Sequence, residues 1–295
     1  MHWKKITGDT GVIETKGTMI PLYRTSENRI AMIDSGSEEN PELVAAIERA
    51  GFIVSAVLCT HLHPDHIANN RLLVEKFGTK VYAPEEEIRA AHTEVIQCGK
   101  FRMNQSCLSE VPDYPIFPVE RQGTVLVDGK PFEVIDAPGH TKGHVAYVTA
   151  DEVCCAGDAL SSAEVVRFMK LPYFECVKTA METMNMLEAK QYPYYVLSHC
   201  SIEDSSGFSR AAQAFADKRE DMIRAFREVL GEGRPQGLAA FMQSVGIIGQ
   251  DLVESTILQA AAKSYLNGLV DTGEVKIEGE WVLPLCLRER DRESF

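Results

Sequence analysis

Apolar residues recur in this chain first as short, strand-length runs and only later at helical spacing. Residues 54–59, 80–83 and 194–197 are β-prone runs too short for independent helices. Two hairpins are legible. Residues 124–127 and 132–135 flank Asp128-Gly129, a pair that tolerates positive φ, and residues 145–148 and 153–156 flank Ala150-Asp151. Between the strands, residues 41–50 read as a helix with Asn40 as N-cap and Gly51 as terminator, and residues 67–77 as another that stops before Gly78. Sheets with helices packed outside them predict an α/β sandwich over the first two hundred residues.

Beyond Cys200 the pattern changes. Phe215, Met222, Phe226 and Val229 are spaced seven, four and three apart on a charged background, which predicts an amphipathic helix over 208–230. Residues 231–235, rich in glycine and proline, break it. A second helix follows over 251–269, then strand-like residues 275–277 and 281–283 about Glu278-Gly279. This divides the chain into a main domain, 1–205, and a small, mainly helical C-terminal appendage, 206–295, with the look of a winged-helix element.

Composition narrows the partners. At 295 residues the chain can bury a large core, and 30 basic against 43 acidic residues give a net charge of −13. Nucleic acid and anionic membrane select the opposite sign. From Gly231 onward six Lys/Arg stand against ten Asp/Glu, which argues against DNA binding by the appendage and for a pocket wall or a homodimer contact. The start leads into no 7–15-residue apolar stretch and no 18-residue apolar run occurs, so a cytoplasmic chain is expected. The eight cysteines, without framework spacing, read as buried thiols of a reducing compartment.

Candidate chemistry lies in the histidines. His61, His63 and His66 fall with Asp65 in His-x-His-x-Asp-His, directly after the strand 54–59. Imidazole and carboxylate are ligands for zinc, iron or manganese. His140 follows the strand 132–135, Asp158 the strand 153–155, and His199 the strand 194–197. Four strands thus each end in a metal-capable residue. If those ends share one rim, five histidines and two aspartates converge. His2 and His92 have no such context, Cys200 reads as a packing thiol, and Asp34 as a turn residue that could orient a ligand histidine. His144, four residues after His140, reads as structural before it reads as a donor to the site.

In Ile33-Asp34-Ser35-Gly36, the His61-to-His66 motif, Pro138-Gly139-His140-Thr141, Gly157-Asp158 and Ser198-His199, the chain resembles the metallo-β-lactamase superfamily over about residues 10 to 200. The resemblance implies an αββα sandwich with metals at one edge of the two sheets. It implies one divalent metal, most simply zinc, on His61, His63 and His140, a second on Asp65, His66 and His199, and Asp158 bridging them. It further implies a binuclear hydrolase in which a shared hydroxide attacks an ester-like bond of a small molecule, with Asp65 handling the proton. Thioester and lactone hydrolases are the nearest branches. Their paired glycines after the motif are here Ile67-Ala68, which leaves the branch open. An iron-dependent persulfide dioxygenase, or another redox member of the same fold, is the alternative. Residues 98–120 and 165–174 could overhang the site or pack on the sandwich. Arg102, Lys142 and Arg167 are candidate anchors for a substrate carboxylate.

Overall fold

A computed structural model describes residues 3–93, 95–98, 101–104, 111–199 and 201–285. His2 and Cys200 lie outside the described residues, as does the side chain of Arg102.

The first stretch runs through β1 (Lys4–Thr7), β2 (Thr10–Glu14), β3 (Met19–Arg24), β4 (Arg29–Ile33), α1 (Pro41–Arg49), β5 (Ile53–Leu58), α2 (Pro64–Ile67), α3 (Asn70–Phe77), β6 (Lys80–Pro84), α4 (Glu85–Ala91), the hairpin β7 (Val95–Cys98) and β8 (Phe101–Asn104), and β9 (Ile116–Val119). Seven of these strands form one sheet, ordered β1-β2-β3-β4-β5-β6-β9. The second stretch runs through β10 (Gly123–Val127), β11 (Lys130–Asp136), β12 (Val145–Val148), β13 (Val153–Gly157), α5 (Ala163–Phe168), α6 (Val177–Lys190), β14 (Tyr194–Leu197) and β15 (Ser201–Glu203), whose strands form a six-stranded sheet in sequence order.

The period-2 geometry of a strand sorts its side chains between layers. In β4, Ala31 and Ile33 face the space between the sheets while Ile30 and Met32 face α1 and α3. In β13, Val153 and Cys155 point to the inter-sheet core, and Cys154 and Ala156 to the helices outside. Both faces are covered, which is why these strands read as unbroken apolar runs. Burial pushes the Cys155 thiol well up, and Cys154 is raised too, so neither is reactive. Cys176 departs from the expectation of buried thiols: it caps α6 and is exposed.

Helix α1 begins at Asn40, whose side chain accepts from Leu43 N, as its sequence predicts. The helix expected over 67–77 is instead two. Asn69 interrupts it because its amide is spent on another loop, donating to Ser35 O (2.7 Å) and Glu38 O (3.0 Å) and accepting from Asn40 N (2.7 Å). Of the segment 98–120, residues 99, 100 and 105–110 lie outside the described residues, and 111–119 pack on the sandwich. Val111 is buried and β9 extends the first sheet as a parallel edge strand beside β6.

C-terminal to the sandwich come α7 (Ser205–Leu230), β16 (Gln236–Gly237), α8 (Leu238–Ser244), which the sequence pattern did not reveal, α9 (Leu252–Asp271), β17 (Val275–Glu278) and β18 (Trp281–Pro284). Phe208, Phe215, Phe226, Phe241 and Tyr265 share one apolar cluster with Leu160, Phe174 and Leu187 from the second sheet's outer layer. Ser264 Oγ also accepts from Val177 N at the start of α6 (3.0 Å). No helix among the described residues is long and apolar enough to cross a membrane.

Candidate metal centre

The ends of β5, β11, β13 and β14 carry the residues singled out by sequence, and they meet at one edge of the sandwich. After β5, residues His61 to His63 run extended. Pro64 opens the one-turn helix α2 with His63 as its N-cap in β conformation (φ −67°, ψ 145°), the backbone a residue before proline prefers. Asp65 and His66 therefore stand on a helical turn while His61 and His63 stand on extended chain, and all four reach the same point.

The loop after β11 is held against α6. Gly139 has φ 133°, and a Cβ there would lie 2.4 Å from Ala180 Cα, so only glycine admits this approach. Thr183 Oγ1 donates to Pro138 O (2.6 Å), and Glu175 N and Cys176 N donate to the carbonyls of His140 and Gly139. At the end of β13, Gly157 (φ 53°) turns the chain into Asp158. β14, parallel to β13, delivers His199 alongside.

Three groups of side chains bring their ligand atoms within 4.8 Å of one another: His61, His63 and His140; Asp65, His66 and His199; and His61, His66 and Asp158. Asp158 stands between the first two. Its Oδ2 is 3.3 Å from His140 Nε2 and 3.2 Å from His199 Nε2, and its Oδ1 is 3.2 Å from His66 Nε2. His140 Nε2 lies 3.0 Å from His63 Nδ1. Asp65 is the most open member, its Oδ2 3.9 Å from both His66 and His199 Nε2.

The remaining nitrogens of four of the rings are committed elsewhere, which fixes the rings and turns the other nitrogen inward. His61 Nδ1 meets Thr60 Oγ1 (3.0 Å), His140 Nδ1 meets Tyr173 O (3.2 Å), His199 Nδ1 meets Gly17 O (3.2 Å), and His66 Nδ1 donates to Asp34 Oδ2 (2.9 Å). Asp34, just past β4 at φ 58°, also accepts from Thr60 N and Oγ1. It is an orienting residue and not a member of the cluster.

This donor set fits divalent ions. His61 Nε2 is buried and makes no hydrogen bond, and His66 Nε2 and Asp158 Oδ1 face only each other (3.2 Å), a costly arrangement for polar atoms unless something else satisfies them. The electrostatics agree. Burial and the neighbouring imidazoles hold His61 well below the usual histidine range. Burial does the same to His140, against the pull of Asp158. For His66 burial is outweighed by Asp158, Asp65 and Asp34, which drive it well up, and Asp158 raises His199 to about 9. Burial would raise Asp158, but His199, His66 and His140 hold it well below the carboxylate range. The cluster demands positive charge around Asp158, which is what a metal ion supplies.

His144 is buried beside the cluster, with both ring nitrogens taken by main-chain groups. Its Nδ1 meets Ala137 O (3.1 Å) and its Nε2 accepts from Asp158 N (3.1 Å). His92 is remote, on the exposed end of α4. Of the candidate anchors, Lys142 is exposed beside Glu86 (3.7 Å) and Arg167 is exposed on α5. From the segment 165–174, Tyr173 and Phe174 pack against His140 with ring centroids at 5.3 and 5.8 Å, while Phe168 points to solvent. Sequence reasoning missed Thr60 and Glu87. Glu87 sits in a Glu-Glu-Glu run that looks solvated, but it shares with Ala91, four residues on, the buried face of α4.

Comparison with known proteins points the same way. Residues 19–199 match the family model for the metallo-beta-lactamase superfamily. A hydroxyacylglutathione hydrolase of Aliivibrio salmonicida (strain LFI1238) is 30% identical over 254 residues, spanning 83% of this chain and 87% of that one. Another, from Pectobacterium carotovorum subsp. carotovorum (strain PC1), is 32% identical over 143 residues, and there the chain spans about half of the relative's length (47%). Among solved structures, a metallo-beta-lactamase family protein from Thermus thermophilus has a TM-score of 0.67 over 91% of this chain and 94% of that one, at 18% identity, a likeness of fold.

Proposed function

The chain belongs to the metallo-β-lactamase superfamily and is a metal-dependent hydrolase; from that premise we propose that it cleaves a thioester of a small, glutathione-like molecule at a two-metal site. The observation that carries the two-metal reading is the position of Asp158, whose oxygens face His66, His140 and His199. The thioester reading is supported by relatives named for hydrolysis of hydroxyacylglutathione.

In this reading His61, His63 and His140 would hold one ion and Asp65, His66 and His199 the other, with Asp158 placed to serve both. Divalent ions held there would lower the pKa of a water molecule toward neutrality and polarise a carbonyl. The chain's own residues supply the rest. Asp34 and Thr60 keep His66 and His61 from rotating. Tyr173 and Phe174 wall the His140 side against bulk water. The carboxylate of Asp65, the most open member of the site, would take the proton from the attacking water and return it to the departing thiolate, so that a carboxylic acid and a thiol leave. We assign catalysis to residues 1–205 and a wall or homodimer contact to 206–295. Zinc is the proposed metal and the cytoplasm the proposed setting, with neither nucleic acid nor membrane as partner.

The test pairs elemental analysis with a substrate panel: a hydroxyacylglutathione, a lactone, a phosphodiester and a chromogenic β-lactam. Near two equivalents of zinc per chain and fastest turnover of the thioester are expected. One equivalent of iron, with oxygen uptake on glutathione persulfide, would replace this reading with the dioxygenase.

A further inference from the structure

Glu87, on α4, is buried to 2% exposure yet belongs to neither ligand set. Its carboxylate reaches two loops that are distant in sequence. Oε2 accepts from the main-chain N–H of Leu62, the residue between His61 and His63 (3.2 Å). Oε1 accepts from Thr141 Oγ1 (2.6 Å) and Gly143 N (3.0 Å), on the loop that carries His140. Gly143 is shaped to this contact, since a Cβ there would lie 2.7 Å from Glu87 Oε1.

We propose that Glu87 is a positioning residue of the three-histidine ion site, a side chain that, beside the main-chain bond from Val145 N to Thr60 O (3.0 Å), fixes the separation of the His61–His63 segment from His140. This rests on the two-metal reading above. The physical case is geometric. An imidazole triad binds tightly only if its nitrogens are already at ligand spacing, and here two of them sit on extended chain and the third on a loop of the opposite sheet. The loop of His140 is anchored to α6 on one side through Thr183 and Gly139, but α6 packs on the outer layer of the second sheet and so sets no distance across the site. Glu87 spans that gap with three donors on one buried carboxyl group, which leaves it little freedom to move. Ligand-orienting groups of this kind typically change metal affinity by about 10- to 100-fold.

The test titrates metal-free wild type, Glu87→Ala, Glu87→Gln and Thr141→Val with Zn²⁺ against a chromophoric chelator, and records the visible absorption of the Co²⁺ forms. In Glu87→Ala one equivalent should weaken about 10- to 100-fold while the other is unchanged. The cobalt bands of the weakened site should shift, which a merely structural role would not produce. Glu87→Gln, which keeps the volume and one acceptor, should recover part of the affinity. If Glu87→Ala does not fold, Glu87→Gln and Thr141→Val decide, each expected to loosen the same equivalent by about tenfold or less. Variants that hold both equivalents at wild-type affinity with wild-type cobalt spectra overturn the proposal. A wild type that takes a single equivalent defeats the two-metal reading instead, and Glu87 is then judged on that equivalent by the same criterion. A wild type that takes none overturns both.

Discussion

The main-chain N–H of Asp158 donates to Nε2 of His144 at 3.1 Å, while Nδ1 of the same ring meets the carbonyl of Ala137. That pairing requires the neutral Nδ1–H tautomer, and burial pushes the ring down to about 3, so it keeps this form throughout the working range. His144→Ala would leave a buried N–H and carbonyl without partners and open a cavity. A loss of about 3 kcal/mol is expected in urea unfolding, with weaker metal binding at Asp158. Unchanged stability would show the ring to be dispensable.

Gly157 is the residue that lets Asp158 stand where it does. Its φ is +53°, and a Cβ would lie 2.7 Å from His144 Nε2 and 2.8 Å from Thr60 Oγ1. Gly157→Ala combines backbone strain with overpacking, so a cost of about 2–4 kcal/mol is expected. Metal content of the purified variant should fall with it. Full metal loading at wild-type stability would contradict the geometry.

Asp34→Asn tests orientation without adding backbone strain, because asparagine tolerates the positive φ found here. The amide can still accept from Thr60 N but turns an NH₂ toward Thr60 Oγ1 and His66 Nδ1, where the carboxylate accepts from both. A roughly 10- to 100-fold fall in metal affinity is expected, together with a stability loss of about 1–3 kcal/mol from the buried donors left facing the amide. Equal metal affinity in the two proteins would remove Asp34 from the account.

Glu175, whose backbone N–H donates to His140 O, is pushed up to about 7 from 4.5, by burial first and then by the charge of Glu87. The folded chain thus binds this proton more tightly than the unfolded chain. Its contribution to stability is complete below about pH 4.5 and is lost as pH rises to about 7. Comparing metal-free wild type with Glu175→Gln in urea at pH 5, 6, 7 and 8 isolates it. Wild type should lose about 2 kcal/mol more than the variant across that range, a figure discounted for partial exposure. Parallel curves would show that Glu175 carries no such shift.

Much of this architecture is legible from residue order because short apolar runs of strand length stop at polar or small residues (Thr60, Asp136, Gly157 and Ser198), and the seven candidate residues follow those ends. What stayed hidden depends on contacts between segments far apart in sequence. The break between α2 and α3 exists because Asn69 bonds to Ser35 and Glu38. The strand β9 holds Pro118 and an exposed Phe117, so it lacks the profile of a buried strand and is specified by its neighbour β6. Glu87 is indistinguishable by composition from Glu85 and Glu86, and only the facing of α4 separates them.

Every strand of the seven-stranded sheet lies at or before Val119, and every strand of the six-stranded sheet at or after Gly123. Each assigned triad takes two residues from the first stretch and one from the second: His61 and His63 with His140, Asp65 and His66 with His199. Neither stretch can complete a site alone. In the proposed two-metal reading, ion capture is a handshake between two consecutive halves of one polypeptide, and in a chain clipped between Val119 and Gly123, metal affinity would become a direct gauge of how well the halves find each other.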